Sequence, residues 1–515
     1  MSRCVEGDAF KAYLIDPPFS LFQFAEDTLE PSSPIRRLLT IGRQRKAKSM
    51  VIEPIPAVGS IQAENKAILK SFPDYENPEL IRLSFWTKTI TKTEDINHCS
   101  SEDCVGYALI KKDVIPSSEF SRWHIFEAIV RKYPYLHNYG RIMRPLSFRV
   151  GPCEFTISGC LYAQQNGLNK ACAQVALRSL IATRLGDPEV SCDQINLYAA
   201  ELAEFNPAKG LHTGQINHVL DRYAIPHVAI DYDASPDLRS DFPYQKLIYS
   251  GIESGAGALL AFRMTGPQAP DCGHIIPCFG HTFNEDAWGP QAESAYFKIG
   301  ESIRYIPSRA WCSSFIVHDD NFGANLCIPV SLLRPEQVQY AVELLPEQFA
   351  FSGAEAEVAS ADYFYSLLPE LPEDVIESNA WVKRLIEYVI AQKLILRSVA
   401  VSRDDYIRFL ASAQDWNNGC ESEDIVKVLS KFLPACLWMV EVTIPEIFST
   451  NKHKLGEILL NATAPLNQEI DGESFLLARF PECFVLLDSI NDSGRPKFIT
   501  AQSGLKSHTR LYEAG

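Results

Sequence analysis

The sequence predicts an α+β protein of several domains, centred on a helix that carries a cysteine and a later sheet that carries histidine and acid. Three observations lead there. The chain has 515 residues, more than one hydrophobic core serves, which suggests about two to four domains. Apolar residues recur at helical spacing after Cys172, and from His227 they alternate as in strands. Turn punctuation at Gly151-Pro152 and Gly186-Asp187-Pro188 brackets the cysteine segment. The expected organisation is a poorly patterned segment over 1–75, a small α/β or β-rich domain over 76–150, a central domain over 151–335 and a C-terminal α+β domain over 336–515.

Composition limits function. A net charge of -16, from 64 acidic and 48 basic residues, argues against a general nucleic-acid or anionic-membrane surface. No apolar run reaches the roughly 18 residues that a membrane span needs, and the start MSRCVEGDAFKAYLIDP lacks a basic region followed by an apolar one. The expected location is cytoplasmic. The 14 cysteines are scattered without a CxxC, so they read as reduced, mostly buried thiols.

Over 1–75, short apolar runs alternate with Pro, Ser and charge. The basic cluster Arg36, Arg37, Arg43, Arg45, Lys46 and Lys48 offers an anion a partner, although a solvated face is the simpler reading. Residues 80–90 and 104–115 alternate as strands. Residues 124–136 place Ile125, Phe126, Ile129 and Val130 on one side of an expected helix, and 146–151 form a closing strand.

The stretch FTISGCLYAQQNGLNKACAQVALR, residues 155–178, joins a strand, two glutamines, an Asn-Gly loop and a cysteine that opens a helix. Acyl transfer needs this order: first-turn N–H groups favour a thiolate, and a donor just upstream faces the oxygen that becomes negative. Helices are expected over 194–205 and 212–225, then a strand over 227–233, a helix over 244–255 and strands over 258–264, 274–283 and 313–320. His274 and His281 fall on opposite faces of one strand and so serve different sites. In SSFIVHDD, Phe315, Val317 and Asp319 share one face while Ile316, His318 and Asp320 share the other, so one acid continues the row toward His274. That acid either orients an imidazole or caps the Asn321-Phe322-Gly323 turn. His274, His281, His318, Asp319 and Cys272 carry metal-ligating atoms, but without HExxH or paired CxxC spacing no metal is expected.

QQ-x6-CA, ESG-x3-LLAF, GH-x4-FGH and FIVHDD together resemble the papain-like cysteine peptidase superfamily, most of all the branch that includes bacteriocin-leader-processing peptidases. The resemblance covers about residues 155–330. It implies a papain-like domain with Cys172 as nucleophile, His274 as general base and Asp319 as the orienting acid. It also implies a glutamine as oxyanion donor, Gln165 with Gln164 as the alternate, and Asp320 is the alternate acid. The family places that glutamine about six residues before the cysteine, whereas Gln165 is seven before and Gln164 eight. Asp319-Asp320 stands where relatives carry Asp-Pro. No cofactor is implied. Residues 290–309 look like an insertion, a lid or a specificity element.

After 336, a partly extended linker is expected over 337–358, then helices broken by a strand over 394–401. Strands follow over 436–445, 456–464, 474–481 and 483–490, with Glu441, Glu446, Glu457 and Asp488 on solvated edges. This domain recognises substrate or docks a protein partner. The function expected is a cysteine peptidase or amidohydrolase acting on a peptide or protein. The alternatives are a transglutaminase-like acyltransferase and a catalytically silent peptide-binding scaffold.

Overall fold

A computed structural model describes residues 5–502 except 8–9, 18, 31, 77, 132–137, 203–205, 207–209, 267–268, 284–296, 300–302, 413–420, 449–452, 467–472 and 481–482. It is a mixed α+β architecture of three sheets.

The first sheet is antiparallel, in the order β1 (Val5–Gly7), β2 (Phe10–Leu14), β3 (Ser49–Pro54), β4 (Glu79–Trp86), β5 (Cys104–Ile115), β6 (Phe120–Arg131), β9 (Cys153–Tyr162), β8 (Arg144–Val150). Three helices accompany it: α1 (Leu21–Thr28), α2 (Ser33–Gln44) and α3 (Gly59–Ser71). The 1–75 segment is therefore ordered into the same sheet as the strands after it. Of the helix expected over 124–136, residues 132–136 lie outside the described residues and 124–131 belong instead to strand β6. Its stretch 123–130 is buried throughout, so a strand covered on both faces shows no alternation and its apolar residues imitate helical spacing.

The second sheet runs β10 (His227–Asp231), β17 (Val338–Leu344), β11 (Ala258–Gly266), β12 (Ala269–Phe283), β15 (Cys312–Asp319), β16 (Gly323–Pro329), with β7 (Asn138–Tyr139) on β12. The expected linker is thus an inner strand between β10 and β11, followed by a helix over Gly353–Leu367.

The third sheet runs β13 (Phe297–Ile299), β14 (Ile303–Pro307), β18 (Ile395–Ser402), β19 (Cys436–Thr443), β20 (Gly456–Asn461), β21 (Phe475–Phe480), β22 (Cys483–Ile490), β23 (Pro496–Gln502). Of the expected insertion, 290–296 and 300–302 lie outside the described residues, and β13 and β14 extend this sheet through a parallel β14–β18 pairing. That pairing makes the described part a sheet edge and not a lid. Glu441 and Glu457, expected on solvated edges, are 1% and 0% exposed. They alternate with Arg397, Lys454 and Arg479 in a buried ion ladder, because the partner cations come from neighbouring strands and a connecting loop.

Between the first two sheets lies α4 (Cys172–Leu185), followed by α5 (Cys192–Leu202) and α6 (Thr213–Arg222). α4 is buried from Ala173 to Thr183, as expected of a helix that is small and apolar on nearly all sides. Leu177, Leu180 and Ile181 share a core with Ile157 and Leu161 of β9 and Ile275 and Phe279 of β12. Gly186 ends the helix at φ +68, a conformation glycine adopts without Cβ strain. α4 thereby fixes the end of β9, its own first residue and the face of β12 relative to one another. No helix among the described residues is long and apolar enough to cross a membrane.

Candidate active site

Cys172 is the first residue of α4, after an extended Ala171, and is partly buried. The loop before it is held by its own side chains. Asn166 Oδ1 accepts from the N–H groups of Leu168 and Asn169 at 2.9 and 3.2 Å, and Asn196 Nδ2 donates to the Asn169 carbonyl at 3.1 Å. Lys170, fully buried, pairs with Glu64 of α3 at 2.6 Å and lies over the Phe126 ring. Glu64 also pairs with buried Lys111 at 2.8 Å. The loop that presents the thiol is therefore anchored in the first sheet and its helix.

His274 lies on β12, 4% exposed, edge-on to Phe262. Its Nε2 is hydrogen-bonded to Asp319, and Cys172 lies near enough to act on the same imidazole. Nε2 lies 3.0 Å from Asp319 Oδ2 and 3.6 Å from Asp320 Oδ1. With Nε2 facing the acids, Nδ1 is the ring nitrogen left to exchange a proton with sulfur. Burial alone would lower the pKa of this imidazole. The hydrogen bonds to Asp319 and Cys172 and the charges of Asp319 and Asp320 outweigh burial and push it up to about 10.

The sequence left two roles open for the acid, orienting an imidazole or capping a turn. Asp319 takes both, one with each oxygen. Oδ2 meets His274, while Oδ1 accepts from the N–H groups of Asn321 and Phe322 at 2.8 and 3.1 Å. The alternation argument, which allowed one acid to reach His274, is corrected. The β15–β16 register shifts between Val317 and Asp319, and β15 ends at Asp319, so Asp320 turns inward as well. Gly323, at φ +116, completes the turn. Asp320 is 5% exposed, and among the described residues neither of its oxygens has a hydrogen-bond partner. Burial raises its pKa; the positive field of His274 opposes this, the charge of Asp319 adds to it, and the outcome is about 6.

The two glutamines separate. Gln164 continues the backbone pairing of β9 with β6. Its N–H donates to the Ile125 carbonyl and its Oε1 accepts from the Ile125 N–H, both at 3.0 Å. Gln165 Nε2 donates to Asn321 Oδ1 at 3.1 Å, which puts its amide beside the acid turn. An amide nitrogen carries two N–H donors, so one is left.

The other histidines go elsewhere. His318 Nδ1 accepts from Asn325 N–H at 3.1 Å and its Nε2 faces the Cys160 carbonyl at 3.4 Å. It is thus a neutral clip between β9 and the β15–β16 hairpin, its pKa lowered by burial to about 4. His281 pairs with Glu253 at 3.0 Å, away from His274. The side chain of Cys272 lies outside the described residues.

Among the described residues two clusters place three ligand-type atoms within 4.8 Å: His274, Asp319 and Asp320, and Glu64, Asp113 and His124. In the second, Lys111 and Lys170 already neutralise the carboxylates, which does not fit a dication. In the first, His274 is hydrogen-bonded to Asp319.

Sequence reasoning missed Asn321, which holds Gln165, and Glu64, which holds Lys170. Asn321 stood in a visible turn, whereas Glu64 sits on a helix about a hundred residues away with no local signal. No protein-family model matches the chain, and no curated protein matches it.

Proposed function

We propose that the chain is a papain-like cysteine hydrolase that cleaves a peptide or isopeptide amide through a thioester on Cys172. The observation that carries this reading is the buried pair His274–Asp319, 3.0 Å apart, with Cys172 at the start of α4 near enough to act on the same imidazole. It brings a helix N-terminus, a strand and a strand end together in a buried setting. The reading is supported by α4, which carries Cys172, packing on β12, which carries His274, in an antiparallel sheet.

In the proposed reaction the Cys172 proton passes to His274, and the thiolate attacks the amide carbonyl, forming a C–S bond. The oxyanion is met by the Cys172 N–H and the second N–H of Gln165, each donor worth on the order of 10²–10³ in rate. The His274 imidazolium gives its proton to the departing nitrogen as the C–N bond breaks. Water, deprotonated by His274, then releases the acid and restores the thiol. The residues required are all in the chain. Free thiols among the described cysteines support a reducing, cytoplasmic setting, and the substrate proposed is a peptide or protein.

The test uses the full-length protein with a reactive-thiol probe, then a peptide library with and without an added amine. Cys172 alkylates faster than the other cysteines near neutral pH, Cys172→Ala abolishes turnover, and a chelator leaves turnover unchanged. Crosslinked products in place of cleaved ones assign acyltransfer to an amine. If Cys172 alkylates no faster than the surface thiols, the site is a silent scaffold and the proposal fails.

A further inference from the structure

Arg37, one of the basic residues first read as a solvated face, belongs to none of the chemistry above. It lies on α2 and reaches across Gly323, its Nε donating to the Ala324 carbonyl at 3.2 Å and its Nη2 to the Asn325 carbonyl at 2.7 Å. Its neighbour Arg36 pairs with Glu26. Among the described residues no carboxylate pairs with Arg37. A guanidinium stays charged at any ordinary pH, so the two carbonyls satisfy donors and leave the charge unmatched.

That charge stands at the wall of a half-open cavity of about 170 Å³ between the first two sheets. The remaining wall is mainly apolar, with Val130, Met143, Phe279 and Ile316 prominent, and Cys327 also lines it. Cys327, exposed at the mouth, shares this wall with Arg37. An apolar cavity of about 150 Å³ is enough to hold benzene. The volume therefore suits a compact body of about six to nine non-hydrogen atoms.

We propose that this cavity binds a small organic monocarboxylate, with a ring or short branched chain between the sheets and the carboxylate on Arg37. Apolar walls reject a free inorganic anion, which would lose its hydration without replacement. The unmatched guanidinium favours an acid over a neutral molecule of the same shape, because a charge-assisted hydrogen bond is about twice as strong as a neutral one. The site is independent of the peptidase reading and its test needs no turnover.

The probes are benzoate, benzyl alcohol as its neutral counterpart and acetate as the charge without the body, each titrated calorimetrically into the full-length protein. Protection of Cys327 from iodoacetamide, mapped by mass spectrometry, is the second readout. Benzoate binds below about 10 mM, a weak affinity fitting its size, and protects Cys327; acetate does neither. Arg37→Met weakens benzoate by about tenfold or more and leaves benzyl alcohol nearly unchanged. Met143→Trp fills the space, keeps the Arg37 tether and removes both binding and protection. This second variant decides the matter if Arg37→Met does not fold. Absence of benzoate binding, equal binding by Arg37→Met, or undiminished binding by Met143→Trp overturns the proposal.

Discussion

Replacing Asp319 with asparagine asks one side chain to do two incompatible jobs. The native carboxylate accepts on both oxygens, from His274 on one side and from two turn N–H groups on the other. Asparagine has one accepting oxygen and one donating nitrogen. If the oxygen stays in the turn, the amide N–H₂ faces Nε2 of His274, and the ring must carry its proton on Nδ1. The lone pair needed by Cys172 then points the wrong way, and the imidazolium loses its counter-charge. In triads of this kind the wrong tautomer lowers turnover on the order of 10⁴. If the amide flips, two turn N–H groups meet a donor instead of an acceptor, at about 1–3 kcal/mol for each group left unpaired.

Either way His274 loses the Asp319 interactions that help raise its pKa to about 10, and the pH signature follows. A folded pKa above the ordinary value of 6.5 contributes stability that is complete below 6.5 and lost as pH rises through about 10. The wild-type protein therefore loses stability across pH 7–10 relative to Asp319→Asn, and their denaturation midpoints converge. The assay is the Cys172 alkylation rate together with urea unfolding, both measured from pH 5 to 10. An Asp319→Asn protein that alkylates at the wild-type rate across that range, with the same pH dependence of unfolding, would refute the geometry argued for both oxygens.

Two further expectations follow from buried charge. Asp320→Asn is more stable than wild type above pH 6, because a carboxyl raised from 3.8 to about 6 penalises folding once the unfolded chain ionises; the gain is about 3 kcal/mol at most, vanishes near pH 3, and is read by urea unfolding at the two extremes. Glu64→Gln leaves Lys170 and Lys111, both 0% exposed, short of a counter-charge; it should cost about 3–5 kcal/mol and slow Cys172 alkylation per folded molecule, whereas wild-type alkylation in a clearly destabilised variant would detach Glu64 from the site.

What could be read from the sequence depended on whether the signal was local. The order of β9, the Asn-Gly loop, Cys172 and the Gly186 stop is local chemistry, and the structure has those elements in that order. His274 beside Asp319 was legible only as a hope of register, since period two gives faces but not the bulge at Val317 and Asp319 that brings in Asp320. β6 was misread because burial on both faces erases alternation. β17 was missed because a short apolar run after a proline looks the same in a linker as between two strands. Glu441 and Glu457 looked solvated for a similar reason: a carboxylate in a strand declares nothing about the Arg397 or Arg479 that neighbouring strands bring to it.

These non-local terms also explain why the candidate site depends on residues outside 155–330. The first sheet and its helices hold both sides of the line from sulfur to acid. On the nucleophile side, Glu64 grips Lys170, two residues before Cys172. On the acid side, Arg37 grips the carbonyls of Ala324 and Asn325, and the Asn325 N–H in turn fixes His318 next to Asp319. The two grips differ in kind. Glu64 is closed within a buried ion cluster and can be released only at the cost of unpaired ammonium groups, so it acts as a permanent anchor. Arg37 holds its two carbonyls through Nε and Nη2 from the wall of an open cavity and keeps further N–H donors on the guanidinium, so its grip is open to solvent where that of Glu64 is closed.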